Sequence, residues 1–278
     1  MKIAIIGFGF VGKATLNGLT NDVETLLIDP KLNTFTKQLE GFNPNFVFVC
    51  VPTPMGENGC INANILMDVL NDIDKYCPET ITIIKSTVTP DIIKSVLCSK
   101  INLVYNPEFL RERTADEDFI NSKMIILGGN KENCKKVADM YKNYTKCKCN
   151  DYQFMPADKA SLLKYTVNSF LATKVLFFNE INNLFSKLDS NMIWQDFISV
   201  LQLDSRMGDS HMDVPGPDGR YGFGGACFPK DTRALNEFSK IHGSALDLLE
   251  KAIEKNNSIR SSYQNLDDRE KEQNVQFN

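Results

Sequence analysis

Histidine is almost absent from this chain, with only His211 and His242 among 278 residues. Metal sites built on imidazole therefore have little to draw on. The Cys147-x-Cys149 pair has no His or Cys partner at metal-site spacing, so no metal is expected. There are eight cysteines, at 50, 60, 77, 98, 134, 147, 149 and 227, but they are scattered. A disulfide framework suits a short secreted domain, not a chain of this length, so free thiols and a cytoplasmic setting are expected. Neither sign of charge dominates: 31 Lys and Arg face 35 Asp and Glu, for a formal net charge of -4. That balance offers no electrostatic footprint for nucleic acid and no basic run for a membrane surface. No apolar run is long enough to span a bilayer. The apolar opening at 2–6 leads straight into Gly7 with no cleavage-like site, so it reads as a first strand and not as a signal segment. No internal repeat is visible.

Apolar residues make up 42% of the chain, enough for one large or two ordinary domains. In the first half, short apolar runs alternate with helical patterns. Strands are expected at 2–6, 24–29, 45–51, 80–85, 102–105 and 123–127, and helices at 11–20, 64–76 and 91–97. The run Asn45-Phe46-Val47-Phe48-Val49-Cys50-Val51 is apolar throughout, as in a strand buried on both faces. This alternation predicts an α/β fold: an N-terminal doubly wound, Rossmann-type parallel sheet. From about residue 156 the pattern changes. The stretch to about 188 lacks Gly and Pro and repeats apolar residues at three and four, which predicts one long helix with a wide apolar face. Further helices are expected at 192–202, 232–241 and 245–259, with a Gly- and Pro-rich loop at 204–226. The expected domains are thus 1–156 (Rossmann-like), 157–262 (helical, the dimerisation element) and a polar tail at 263–278, frayed or disordered.

Gly7-Phe8-Gly9-Phe10-Val11-Gly12 fits G-x-G-x-x-G. A lone hexamer of this kind is weak evidence. Here it follows an apolar strand and opens a helix. In that context Gly7 and Gly9 permit a tight turn with backbone N–H groups close to a pyrophosphate, and Gly12 permits close helix–strand packing. Asp29 ends the next strand, at the spacing of the acid that holds a ribose. A carboxylate there repels a 2′-phosphate, so NAD is the expected cofactor; Lys31 nearby is the feature that softens the preference.

The segment Gly222-Phe223-Gly224-Gly225-Ala226-Cys227-Phe228-Pro229-Lys230-Asp231 carries the chemistry. A cysteine there follows a flexible loop, and Lys230 or a helix N-terminus would favour its thiolate. Asp231 is placed to hold a water or a hydroxyl near the sulfur. Glu108 and Glu112 are four apart with Arg111 between them. Lys164 and Asn168 share one face of the long helix.

Six segments in order and register give the chain a resemblance to the UDP-glucose/GDP-mannose dehydrogenase family, closest to its UDP-glucose 6-dehydrogenases. They are GFGFVG at 7–12, VPTP at 51–54, KSTVTP at 85–90, NPEFLRE at 106–112, ADKASLLKYTVNSFLATKVLFFNEI at 157–181 and GFGGACFPKDT at 222–232. The likeness runs from Met1 to about Arg260. It implies oxidation of the C6 primary alcohol of a nucleotide sugar to a carboxylate, in two steps with two NAD, without release of the aldehyde. It also implies site residues. Cys227 would form a thiohemiacetal and then a thioester, and Lys164 and Asn168 would stabilise the oxyanion. Asp231 and Thr87 would handle a water or a proton. Glu108, with Glu112 in the same cluster, would be the base for hydrolysis. Beside the glycines, Phe10, Val11 and Asp29, the cofactor would meet Pro52, Thr53, Ser86, Thr87 and Lys230. Phe109, Leu110, Arg111, Glu112, Lys164, Asn168, Phe223 and Gly224 would meet the sugar nucleotide, and Arg206 would reach a neighbouring subunit's substrate in a homodimer.

Two departures stand out. Relatives usually carry a third, C-terminal Rossmann-like domain over the nucleotide end, and this chain is expected to lack it. The loop at 214–220 is richer in glycine and charge than expected, and Arg220 is a candidate for the diphosphate. GDP-mannose and an N-acetylhexosamine nucleotide stay open as substrates. A β-hydroxyacid dehydrogenase would share the two-domain pattern but does not need Cys227 or the glycine loop. A non-catalytic NAD-binding partner of a full-length enzyme is the reading outside catalysis.

Overall fold

The computed structural model describes residues 1–98, 102–188, 191–263 and 265–277. It divides into two compact units. One comprises residues 1–53 and 62–164, the other 54–61 and 165–278, so the division falls inside the long helix and not at its start.

The first unit contains β1 (Lys2–Ile6), α1 (Phe10–Asn17), β2 (Glu24–Ile28), α2 (Gln38–Phe42), β3 (Phe46–Val49), α3 (Asn64–Tyr76) and β4 (Ile81–Ile84). It continues with α4 (Pro90–Leu97), β5 (Asn102–Tyr105), α5 (Ala115–Ile120), β6 (Ile125–Gly129), α6 (Lys131–Tyr144) and β7 (Tyr152–Met155). The seven strands form one sheet in the order β2-β1-β3-β4-β5-β6-β7. The inner strands β3 and β4 are buried at every residue, which is why they read as unbroken apolar runs. The order turns back between β1 and β3, and the crevice at such a switch point is where doubly wound sheets bind ligands.

The sheet departs from the expected all-parallel pattern at one place: β5 and β6 pair antiparallel, through Val104↔Gly129 and Tyr105↔Gly128. The helix between them explains it. α5 has six residues and is roughly 9 Å long, too short to carry the chain back along the sheet. It packs instead on α1, with the Phe119 ring against Gly18. Strand β7 has no apolar run to announce it, because its residues are exposed or half-buried.

The helix α7 (Ala157–Phe185) runs 29 residues. The second unit adds α8 (Trp194–Leu201), α9 (Phe228–Ile241), α10 (Asp247–Arg260) and α11 (Asp268–Glu272). Among the described residues, two small apolar clusters lie within it. Ala172, Leu176, Phe223 and Ala252 form one, and Phe178, Trp194, Ile198 and Met212 the other. The tail does not fray as expected. Asp267 and Glu270 form a reciprocal capping box at the start of α11, and Glu270 and Val275 are buried.

Candidate active site

In the first unit, the groups named from the sequence gather on turns that follow parallel strands. Gly7 has φ +90°, and a Cβ there would lie 2.6 Å from the Cys50 carbonyl oxygen, so only glycine fits. A Cβ on Gly12 would collide with the Gly7 carbonyl; its absence lets α1 start close against β1. Nothing lies within 4 Å of the Cβ position of Gly9, the N-cap of α1. The N–H groups of this helix start carry the partial positive charge that suits a phosphate. The Asp29 carboxylate accepts from the Phe8 N–H at 2.7 Å and from the Lys31 N–H at 2.8 Å. It stands at the glycine turn with lone pairs left for ribose hydroxyls. These residues fit a dinucleotide.

The next two turns are tied together. Thr53 Oγ1 donates to the Thr87 carbonyl at 2.7 Å, and Ser86 Oγ donates to the Val51 carbonyl at 2.7 Å. Ser161 Oγ of α7 donates to the Val88 carbonyl at 2.6 Å. Pro52 is exposed beside them.

After β5, Glu108 and Lys164 meet as a buried pair, Oε1 to Nζ at 3.4 Å, with side chains 6% and 4% exposed. Glu108 Oε2 also accepts from the Leu110 N–H at 2.6 Å, and the Lys164 ammonium lies 5.2 Å from the centre of the Phe109 ring. Arg111 is held elsewhere: its backbone N–H and guanidinium bond Asp118. Glu112 is exposed.

Sequence reasoning missed the support beneath this turn. The buried Lys85 ammonium and the Tyr141 hydroxyl both donate to Asn106 Oδ1, at 3.0 and 2.6 Å, and Asn106 Nδ2 donates to the Ile126 carbonyl at 2.9 Å. Burial pulls the Lys85 ammonium below its ordinary value, with Cys50 and Glu108 opposing. A lysine closing the apolar run at 80–85 was the signal available.

In the second unit, Cys227 is the N-cap of α9, and Pro229 follows in the first turn. The partial positive charge of the helix start falls at this thiol. Asp231 is 1% exposed and doubly held: Asn168 Nδ2 donates to Oδ2 at 2.6 Å, and Lys230 Nζ donates to Oδ1 at 2.6 Å. Lys230 is thus spent on its neighbour. The loop before Cys227 is pinned through its backbone. Asn179 Oδ1 accepts from the Gly222 N–H at 2.7 Å, and Asn256 accepts from and donates to Phe223. The Phe223 side chain lies in the core with Ala172 and Leu176.

Arg206 is 86% exposed and touches Asp204. Arg220 is anchored within its own chain. It donates to the Asn265 carbonyl at 2.8 Å and lies over the Tyr263 ring at 5.1 Å. That use of the guanidinium differs from the diphosphate contact expected of it.

Comparison with known proteins agrees with this architecture. Residues 17–145 match the NAD binding domain of the UDP-glucose/GDP-mannose dehydrogenase family, and residues 158–258 match its central domain. A UDP-glucose 6-dehydrogenase of Rickettsia felis is 34% identical over 83% of this chain and 51% of its own length. One from Campylobacter jejuni is 30% identical over 95% of this chain and 73% of its own. A UDP-glucose dehydrogenase structure from Pyrobaculum islandicum superposes with a TM-score of 0.74 at 22% identity, covering 92% of this chain and 68% of that one. The chain spans about half the length of the Rickettsia relative.

Proposed function

Since the chain belongs to the UDP-glucose/GDP-mannose dehydrogenase family, we propose that it oxidises the C6 primary alcohol of a nucleotide sugar, UDP-glucose first among candidates, to the carboxylate with NAD. Bound NAD supplies a hydride acceptor, once for each of the two oxidations. In the first, C6 loses a hydride and its hydroxyl a proton, leaving an aldehyde. The Cys227 sulfur then adds to that carbonyl, and a proton on the oxygen completes a thiohemiacetal. Loss of a second hydride and that proton gives a thioester. Water cleaves it, releasing the acid and restoring the thiol. Lys164 and Asn168, one turn apart on α7, are the donors for the negative oxygen. Glu108 is the base that activates the hydrolytic water, and Asp231 orients it.

The observation that carries this reading is Cys227 at the N-cap of α9, followed in the same first turn by a buried carboxylate that Asn168 and Lys230 hold in place. Burying a charge is costly unless it is paired, and Asn168 and Lys230 supply that pairing beside the thiol's helix start. Asp29, engaged with the glycine turn, supports NAD over NADP. The chain acts as a homodimer in this reading, and the exposed Arg206, paired with Asp204 in its own chain, is the candidate to reach the substrate of a second copy. The test is a panel of nucleotide sugars followed by NADH absorbance. Two NADH per sugar consumed, with no trappable aldehyde, is the expected result. One NADH per sugar, or none with any of them, would overturn the reaction.

A further inference from the structure

The tail at 265–277 bears on the loop that delivers Cys227. Its central contact is Glu270, whose side chain is fully buried (0% exposed). Oε1 accepts from the Gly225 N–H at 3.0 Å, two residues before Cys227, and Oε2 accepts from the Asp267 N–H at 2.9 Å. The carboxylate is aimed by its own helix start, since the Glu270 N–H donates back to Asp267 Oδ1 at 2.7 Å. A Cβ on Gly224 would lie 2.6 Å from Arg260 Nη1 and 2.7 Å from Glu270 Oε1. Glycine there lets the guanidinium and the carboxylate lie against the same loop backbone. Arg260 Nη2 in turn donates to the Gly222 carbonyl at 2.9 Å, and Nη1 donates to Asp218 at 2.6 Å.

The tail is fastened on both sides of this contact. Before it, Arg220 donates to the Asn265 carbonyl and the Tyr221 N–H donates to the Tyr263 hydroxyl. Beyond it, the Met55 N–H donates to the Gln273 carbonyl at 2.9 Å, and Val275 is buried. The loop needs such fastening. Gly219, Gly222 and Gly225 all have positive φ, and glycine has the most conformational freedom to lose. Asn179 and Asn256 fix it at Gly222 and Phe223. Glu270 supplies the last anchor before the cysteine.

We propose that Glu270 is a positioning residue for the Cys227 thiol, holding the 222–226 turn through the Gly225 amide. The assignment rests on the reading of Cys227 as the reacting thiol, but it can be tested without turnover. The two readouts are hydrogen exchange across 222–227 and the rate of Cys227 alkylation by iodoacetamide, with the exposed Cys60 and Cys98 as internal references. A charge-assisted hydrogen bond of this kind corresponds to roughly ten- to a hundredfold in local opening. Glu270→Ala is expected to speed exchange across 222–227 by that factor. It should also change Cys227 alkylation relative to Cys60 and leave NAD affinity unchanged. Glu270→Gln, with one acceptor oxygen for two N–H groups, falls between. With an active substrate, kcat drops in the same order. If the Ala variant unfolds, Glu270→Asp decides by the same readouts, since it keeps the charge and withdraws it by one methylene. Exchange and alkylation at wild-type rates in the folded variants overturn the proposal, as does loosening confined to 265–277. A chain inactive on every nucleotide sugar would overturn the proposed reaction, and these readouts would still decide the role of Glu270.

Discussion

The cysteine, the buried carboxylates and their cations differ in how far the sequence announces them. Cys227, Asp231, Lys164 and Asn168 stand in compact motifs with a chemical logic, so they are legible one by one. Their partners are not. Nothing in the spacing says that Lys230 is tied to Asp231, or that Lys164 pairs with Glu108 fifty-six residues away. Cys227→Ser is expected to abolish formation of the acid while NAD still binds, because a serine hydroxyl is a poor substitute for a thiolate and the glycine turn and Asp29 sit in the other unit. Calorimetric NAD titration beside product analysis checks it; acid formed at the wild-type rate sinks the covalent role. Lys164→Met leaves the buried Glu108 carboxylate without its paired ammonium, although the Leu110 N–H still donates to it. Removing one partner of a buried pair costs about 3–5 kcal/mol, so urea unfolding of the variant should show a loss of that order. Adding Glu108→Gln should recover most of it, and failure to recover would mean the pair is not what Lys164 contributes.

Among the elements, helices and strands were legible where burial was two-sided or strongly periodic. β3, β4 and α7 meet that condition. α6 does not: it is rich in lysine and polar groups, and only Cys134, Val137, Ala138, Met140 and Tyr141 mark its inner face. The direction of β6 was not legible either, since alternation carries no sign. The tail's polar composition hides its order, and the one sign of it in the sequence is the Asp267 to Glu270 spacing of a capping box. α7 also carries an apolar stripe that is exposed among the described residues. Phe170, Phe177 and Leu184 recur every seven residues and are 66%, 53% and 58% exposed. Apolar residues at seven-residue spacing lie along one line of a helix and suit a helix–helix contact, and the expected partner is a second copy of α7. Phe177→Lys is therefore expected to turn a dimer into a monomer in light scattering while circular dichroism stays unchanged. A wild-type protein that is monomeric at micromolar concentration defeats the expectation.

For the molecule as a whole, stability at high pH follows from what the first unit buries. Burial raises the Cys50 thiol from an ordinary 9.0 to about 12 and Cys134 from 9.0 to about 11. It raises Tyr152 from 10.0 to about 12, and Tyr141 moves up as well. All four groups favour the neutral form in the fold. The sign of the linkage is then fixed. Below the ordinary values both folded and unfolded chains hold these protons, and pH has no lever. Above them the unfolded chain releases protons that the fold retains, so unfolding is drawn forward as pH rises. Lys85 pulls the other way: its depressed value means the unfolded chain holds the proton longer, so its contribution favours the fold as pH rises toward 10.5. Burial lowers Lys174 as well, but six thiols and phenols raised by burial, Cys77 and Cys147 among them, act against the two lysines. The thermal midpoint should be level from neutrality to about pH 9 and fall through the window up to about 12 set by Cys50 and Tyr152. Cys50→Ala should shallow the fall by removing one of these buried acids. Scanning calorimetry from pH 7 to about 11 reads both curves. A midpoint that stays level or rises above pH 9 would show that Lys85, not the buried thiols and phenols, governs the alkaline limb.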